Sequence, residues 1–175
     1  LSEWRGTLTC DDYAGYDVVF RREGCIEAGC LAHARRKFDE LAKANASPVA
    51  AQAIARIARL YKVESQAREM TPEQRLAHRQ QYAKPLWDEL HAWMALERTR
   101  VPDGGGIAAA LDYSLKRWGA LGRFLDDGAV SVGSVTDLRN RATDVRRIGA
   151  RNRWVNGRPE GVTGRGILQA FAAPA

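Results

Sequence analysis

Two short strand-like segments precede a helical pattern at the start of the chain, and this order constrains the fold more than any other feature of the sequence. The segments are Thr7 to Cys10 and Ile26 to Leu31, and each has a glycine beside it. Short runs of this kind next to turn-forming residues are typical of buried strands. From Ala32 to about Asn45 the hydrophobic residues follow helical spacing instead. Residues 1–40 therefore predict short strands that lead into a helix, with Asp17 to Phe20 open to either structure.

A long block of helical patterns follows this opening. Helices are predicted over Pro48 to Met70 and over Ile107 to Phe124, with hydrophobic residues along one face of each. Between them, Thr71 and Gln74 have the spacing of a capping box, which starts a further helix, and Pro85 is expected to interrupt or kink that helix. The Trp and Met residues of these stripes are predicted to lie in the core.

The end of the chain has a different composition. Ala129 to Val132 is the last strand candidate, and no periodicity continues beyond it. The whole chain has a formal net charge of +6, but residues 133–175 alone contribute +5, from eight Arg against two Asp and one Glu. Because the basic excess lies in this irregular tail, net charge alone gives little support for nucleic-acid binding.

Cysteine content and hydropathy indicate where in the cell the protein is expected. The three cysteines, Cys10, Cys25 and Cys30, are too few and odd in number for a disulfide framework, which favours a reducing interior. No apolar run approaches the length of a membrane span, and the start of the chain lacks the pattern of a signal peptide. The sequence therefore favours a cytoplasmic protein without a membrane partner.

Asp11 and Asp12 follow the first predicted strand directly. In open α/β sheets, functional groups collect beyond the carboxyl ends of strands. Carboxylates at such a position suit a hard divalent cation, and phosphoryl transfer with two metal ions needs at least two or three of them. The alternative is an acidic turn, since Asp-Asp before Tyr and Gly is common turn chemistry.

Four basic or titratable side chains crowd the first turns of the following helix. A helix N-terminus prefers anions, so cations at this place suggest that an external anion such as a phosphate binds there. The residues are His33, Arg35, Arg36 and Lys37. The alternative is the solvated face of an amphipathic helix.

Zinc binding is a further alternative. Cys25, Cys30 and His33, with Cys10 as a fourth ligand, are residue types that bind zinc, but they lack a compact cysteine pair. Two of these cysteines fall within predicted strands, where Cys behaves as a small buried hydrophobe. The spacing therefore favours structural roles over zinc.

The paired motifs of residues 1–40 resemble a known family. Cys-Asp-Asp-Tyr-Ala-Gly-Tyr at 10–16, followed by Gly-Cys-Leu-Ala-His-Ala-Arg-Arg-Lys-Phe at 29–38, is similar to the transposases of the insertion sequence 66 family. The resemblance runs from Leu1 to about Val132. It implies an α/β fold dominated by helices, in which a partial RNase H-like core of few strands carries a large inserted helical subdomain.

The resemblance also implies a division of the chain into four parts. Residues 1–40 would form the partial catalytic core, and 41–127 the helical insertion. Residues 128–132 would form a strand that returns to the core, and 133–175 a degenerate, irregular basic tail.

A function follows from the resemblance in the same way. The family uses an Asp-Asp-Glu triad that holds Mg²⁺ ions for hydrolysis and strand transfer at DNA phosphodiesters. Asp11 matches the second catalytic Asp, so it would be both a catalytic residue and a metal ligand. The basic helix start of the family, which implies DNA contact or support of the active site, matches His33, Arg35, Arg36 and Lys37. The implied partner is double-stranded DNA at the element ends and the target, and formation of a homo-oligomer is left open.

The sequence departs from the family at two of the three acids. The first catalytic Asp would lie on an earlier strand, upstream of Leu1. The third lies in an Asp-Asn-Asn-x-x-Glu-Arg motif, and residues 133–139 here read Gly-Ser-Val-Thr-Asp-Leu-Arg. No Glu occurs between Glu97 and Glu160, and Asn140 takes the catalytic position if the following residues are aligned. We therefore expect a transposase fragment that is inactive alone.

Two other functions stay open. A non-enzymatic DNA-binding remnant would use Arg35, Arg36 and Lys37 together with the Arg-rich tail. An unrelated helical interaction module would dock a partner through exposed Trp residues. Charge reversal at Arg35 and Arg36 separates the two, because it abolishes DNA contact and leaves partner docking intact.

Overall fold

The computed structural model describes residues 5–10, 16–45, 47–133, 154–155, 158–159 and 169–171. Helices dominate this part of the chain, as the sequence predicts. The first elements are strand β1 (Gly6–Cys10), helix α1 (Asp17–Phe20), strand β2 (Cys25–Gly29) and helix α2 (Leu31–Asn45). The helical block continues with α3 (Pro48–Gln66), α4 (Pro72–His78), a π-helical segment (Arg79–Ala83), α5 (Lys84–Arg100), α6 (Gly106–Lys116), α7 (Trp118–Leu121) and a 3-10 turn (Arg123–Leu125). Three very short strands follow, β3 (Trp154–Val155), β4 (Arg158–Pro159) and β5 (Gln169–Phe171).

Strand β1 is the centre of a three-stranded sheet. Strand β2 pairs with it in parallel and β5 pairs with it antiparallel, while β3 and β4 pair separately. In the parallel pair, Gly6 lies opposite Cys25 and Cys10 lies opposite Gly29. Residues 17–20, which the sequence leaves open, form a helix in the connection between the two strands. Because parallel strands run in the same direction, β1 and β2 end at the same edge of the sheet.

Local signals set the starts of the long helices. Ser47 precedes α3, and its hydroxyl accepts a hydrogen bond from the backbone N–H of Ala50 at 3.3 Å. Thr71 and Gln74 form the predicted capping box before α4, with reciprocal hydrogen bonds of 3.1 and 3.3 Å. A proline follows each cap, at a position where its missing N–H leaves no helical bond unmade. Both helices therefore begin where the sequence predicts.

The helix that starts after Thr71 changes its winding before Pro85. Residues Arg79–Ala83 are π-helical and join α4 to α5 without a break in the backbone path. Proline has no N–H to donate, and its ring crowds the preceding turn, so an ordinary α-helical turn cannot be completed there. The predicted interruption is confirmed, and it takes the form of a π-helical segment.

The aromatic residues of the helical block lie in its core. Trp87 and Trp93 are buried, and Trp118 packs against the same cluster. The ring centroids of Trp87 and Trp118 are 3.9 Å apart in a stacked pair, and Phe124 meets Trp87 edge-on at 5.5 Å. Large aromatic surfaces packed in this way contribute much of the stability of a core. The prediction that this stripe is core is confirmed, and the idea that these three Trp residues are exposed for docking is wrong.

Residues 128–132 do not form the predicted returning strand. They form a turn and then an irregular, bent stretch without strand pairing. The guanidinium of Arg79 binds the carbonyls of Asp127 and Val130 at 3.0 and 2.9 Å. Carbonyls that point at a guanidinium group are not available for a sheet ladder. The prediction of a strand at 129–132 is therefore wrong, whereas the RNase H-like core and the division into core and insertion stay predictions.

Gly128 has no room for a side chain. A Cβ atom at this position would lie 1.8 Å from the carbonyl oxygen of Pro72, so Gly128→Ala forces the turn away from α4. We expect the free energy of unfolding to fall by about 1–3 kcal/mol, the usual cost of overpacking, as measured by urea denaturation. Gly119→Ala is the control, because a Cβ at Gly119 meets nothing within 4 Å and alanine favours helix over glycine. Equal stability of the two variants would contradict this packing.

Candidate functional site

The predicted site lies at one edge of the sheet. Strand β1 ends at Cys10, opposite the end of β2 at Gly29, and α2 begins at Leu31. Strand β1 therefore ends beside the start of α2. Asp11 and Asp12 come next, and both lie outside the described residues. The role of Asp11 as a catalytic residue and metal ligand stays a prediction.

A later part of the chain binds the N-terminus of α2. The backbone N–H of Leu31 donates a hydrogen bond to the carbonyl of Val132 at 3.1 Å. A Cβ on Gly133 would lie 3.6 Å from the Cβ of Ala32, so the two backbones are in contact there. Unbonded N–H groups at a helix start are what attract anions. Since Val132 occupies the amide of Leu31, an anion at this helix start depends on side chains more than on that amide.

The four predicted DNA-binding residues divide by exposure. Arg36 and Lys37 are exposed, whereas His33 and Arg35 are half-buried. The Nζ atom of Lys37 lies 4.4 Å from the centre of the Tyr113 ring, in a cation–π contact that joins α2 to α6. The structure thus presents two of the four side chains to solvent on one turn of α2. Their role in DNA binding stays a prediction.

Asp39 lies between two cations on the same helix. Its carboxylate is 2.6 Å from Nζ of Lys43, four residues further along. The hydrogen bond from Lys43 is the main reason that the pKa of Asp39 is below its usual value, and the positive charge of Arg35 adds to the effect. Arg35 and Lys43 are therefore partly neutralised within α2.

An ion pair that the sequence did not reveal lies close to the same edge. The guanidinium of Arg117, at the end of α6, donates to the carboxylate of Glu27 in β2. The side chains are only 10% and 31% exposed. The Sγ atom of Cys10, the last residue of β1, lies 3.7 Å from the same carboxylate. The signal in the sequence was a Glu within an apolar strand, since a carboxylate that is largely removed from water needs a partner.

The described residues do not make a metal site at this edge. No group of three or more His, Cys, Asp and Glu residues in the described part of the chain could hold a metal ion. The zinc alternative, with Cys10, Cys25, Cys30 and His33 as ligands, is wrong, because the three cysteines are buried and the described residues do not bring these four side chains together as a metal site. The carboxylate of Glu27 is engaged by Arg117, so these residues do not fit Mg²⁺ by themselves.

The family to which the sequence belongs follows from a match to a known family. The sequence matches the Transposase IS66 family over residues 1–134, which is most of the chain. The chain belongs to this family. The matched region includes β1, β2 and α2, and it ends directly after the residues that contact the start of α2. The description of this family is that of a transposase family.

Relatives among curated proteins are longer than this chain. The uncharacterized protein y4hP of Sinorhizobium fredii (strain NBRC 101917 / NGR234) is 34% identical over 168 residues, which cover 87% of this chain and 30% of the relative. The uncharacterized protein y4jD of the same strain is 32% identical over 140 residues, which cover 77% of this chain and 27% of the relative. The chain thus spans less than a third of the length of these relatives. No solved structure matches the chain, and none of the described helices is long and apolar enough to cross a membrane.

Asp39 is expected to titrate below its ordinary pKa of 3.8. Its attraction to Lys43 is fully present above pH 3.8 and is lost as the pH falls through the lowered pKa, so this contribution to stability disappears only in acid. Lys43→Ala should move the pKa of Asp39 back toward 3.8, as measured by NMR titration of its carboxyl group.

Lys84→Ala is the control for this titration, because Lys84 forms the same kind of pair with Asp88 on α5. It should leave the pKa of Asp39 unchanged. An Asp39 pKa that does not respond to Lys43→Ala would show that the hydrogen bond between them is not the cause.

Proposed function

We propose that this chain is part of a transposase that acts on double-stranded DNA, with Asp11 as one of its catalytic carboxylates. The arrangement at the sheet edge carries this proposal. The family match includes the strand before Asp11 and the basic start of α2, and the fold brings the ends of β1 and β2 to the start of that helix. An acid that follows β1 leaves the sheet at the kind of position where α/β proteins bind their ligands.

The reaction proposed for the intact protein is hydrolysis and strand transfer at a DNA phosphodiester. Attack of water or a 3′-hydroxyl on phosphorus places negative charge on the phosphate oxygens, and divalent metals and cationic side chains stabilise that charge. Asp11 is the ligand of Mg²⁺ that we propose from this chain. The described residues around it supply no further ligands.

We propose further that the chain does not cut or join DNA alone. The resemblance places the third acid after the segment that ends at Val132, and this residue contacts the first amide of α2. The seven residues 133–139 that follow contain no Glu. Two Mg²⁺ ions need several carboxylates to hold them, and this part of the chain lacks the acid that the family motif supplies.

The DNA contacts proposed for this chain are made by Arg36 and Lys37. Both are exposed on the second turn of α2, beside the edge where Asp11 follows β1. Cations placed along a duplex gain affinity mainly because phosphate neutralisation releases bound counterions. His33 and Arg35 would support this surface from their half-buried positions. A DNA-binding remnant without catalysis would use the same contacts, so a catalytic assay has to separate the two functions.

The catalytic proposal is tested with terminal-repeat DNA and Mg²⁺. The purified chain should give no nicking and no strand transfer, because it supplies too few carboxylates to the reaction. Robust activity that Asp11→Ala abolishes would contradict the proposed inactivity and support Asp11 as a catalytic residue. Activity that survives Asp11→Ala would overturn the assignment of Asp11.

The DNA-binding proposal is tested by reversing the charge of one arginine near each end of strand β2. Arg36→Glu should weaken binding to duplex DNA and reduce the slope of log affinity against log salt by about 0.9 for each phosphate contact that is lost. Arg21→Glu is the matched control, because Arg21 is also exposed but precedes β2, at the opposite end of that strand. Equal weakening by both substitutions would indicate a general charge effect and contradict a contact at the start of α2.

A further inference from the structure

Arg79 binds the backbone of the segment that leads back to the site. We name residues 124–133 the return segment. The Nη1 atom of Arg79 donates hydrogen bonds of 2.8, 3.0 and 2.9 Å to three of its carbonyls, those of Phe124, Asp127 and Val130. The contacts of one side chain thus extend over most of the return segment.

Glu64 fixes the direction in which Arg79 points. Its two carboxylate oxygens accept from Nε of Arg79 at 3.1 Å and from Nη2 at 2.7 Å. The Arg79 side chain is 2% exposed. A guanidinium group is planar and always charged, so a bidentate carboxylate on one side leaves Nη1 aimed in a single direction. That direction is the return segment.

Arg75 and Gln80 add two further contacts. Arg75 is anchored to the turn between α3 and α4 by hydrogen bonds to the carbonyls of Ala67 and Met70, at 3.2 and 2.9 Å. Its Nη1 atom donates to the carbonyl of Gly128 at 3.0 Å. The side-chain amide of Gln80 donates to the carbonyl of Leu125 at 2.6 Å. The return segment is therefore held by side chains from α4 and from the π-helical segment.

The far end of the return segment reaches the start of α2. The Val132 carbonyl accepts the hydrogen bond of Leu31 N–H at 3.1 Å. Only Ser131 lies between Val130, which Arg79 binds, and Val132, so the Cα atoms of the two valines are at most about 7 Å apart. The position of Val130 under Arg79 therefore limits where Val132 can lie.

We propose that Arg75 and Arg79 are positioning residues for the site. They hold the return segment so that Val132 stays on the first amide of α2, beside the sheet edge that Asp11 follows. The helical block thus fixes the end of the return segment beside the start of α2. A role of these arginines in catalysis rests on the proposed function. Their effect on the hydrogen bond between Val132 and Leu31 does not.

The test is amide hydrogen exchange at Leu31, measured by NMR on the whole chain. Arg79→Ala would leave Glu64 without its partner and unfold much of the block, so Arg75→Ala is the informative variant. We expect the exchange of the Leu31 amide to become at least ~10-fold faster in Arg75→Ala, the effect of weakening its restraint by about one hydrogen bond. The amide of Ala50, which Ser47 caps at the start of α3, is the internal reference and should not change.

Arg98→Ala is the matched control. Arg98 is also half-buried and fastens a different loop, through the carbonyl of Val101 and the carboxylates of Asp103 and Asp112. Arg98→Ala should leave the rate of amide hydrogen exchange at Leu31 unchanged. Unchanged exchange of Leu31 in Arg75→Ala, or equal acceleration at Leu31 and Ala50, would overturn the proposal. Because the measurement uses neither DNA nor metal, it stands even if the proposed transposase function fails.

Discussion

The ion pair between Glu64 and Arg79 is the interaction on which the irregular parts of this structure depend. Breaking a buried pair by removal of one partner costs about 3–5 kcal/mol, since a charge is then left without compensation. Here the pair has a second consequence, because Arg79 also satisfies three backbone carbonyls that no strand pairs with. A buried backbone carbonyl without a partner is itself costly. The segment after the helices is therefore held by the hydrogen bonds of Arg79, which Glu64 orients, and not by pairing with a strand.

The sheet and the helical block are joined by two contacts of different kinds. Gly29 allows close approach of α7, since a Cβ there would lie 2.9 Å from Cδ2 of Leu121. Arg117 adds an ion pair to Glu27 on the same strand. Burial of apolar surface gives this junction its stability, whereas the ion pair restricts how the surfaces can slide over each other. The edge that Asp11 follows is therefore set by the helical block as well as by the strands.

The sequence predicted the features that depend on neighbouring residues. The capping box at Thr71 and the interruption before Pro85 involve residues a few positions apart, so their chemistry is visible in a single stretch of chain. The contact from Arg79 to Val130 spans 51 residues, and that from Arg117 to Glu27 spans 90. The spacing of hydrophobic residues along the chain gives no information about contacts over such distances. For this reason the prediction of a strand at 129–132 was wrong. The family motif identified the basic helix start, but the division of its residues by exposure required the fold.

At the start of α2, cationic side chains lie near the positive end of the helix dipole, and the fold offsets this repulsion only in part. Cations in the first turns of a helix oppose its dipole, whose positive end lies there. The Val132 carbonyl presents the negative end of a peptide dipole to the Leu31 amide, and Asp39 offsets Arg35 further along the helix. A carbonyl carries only a partial charge, however, and Asp39 lies beyond the first two turns. The exposed Arg36 and Lys37 add to the positive charge at this edge, and under the proposed function a DNA phosphate placed there would offset it.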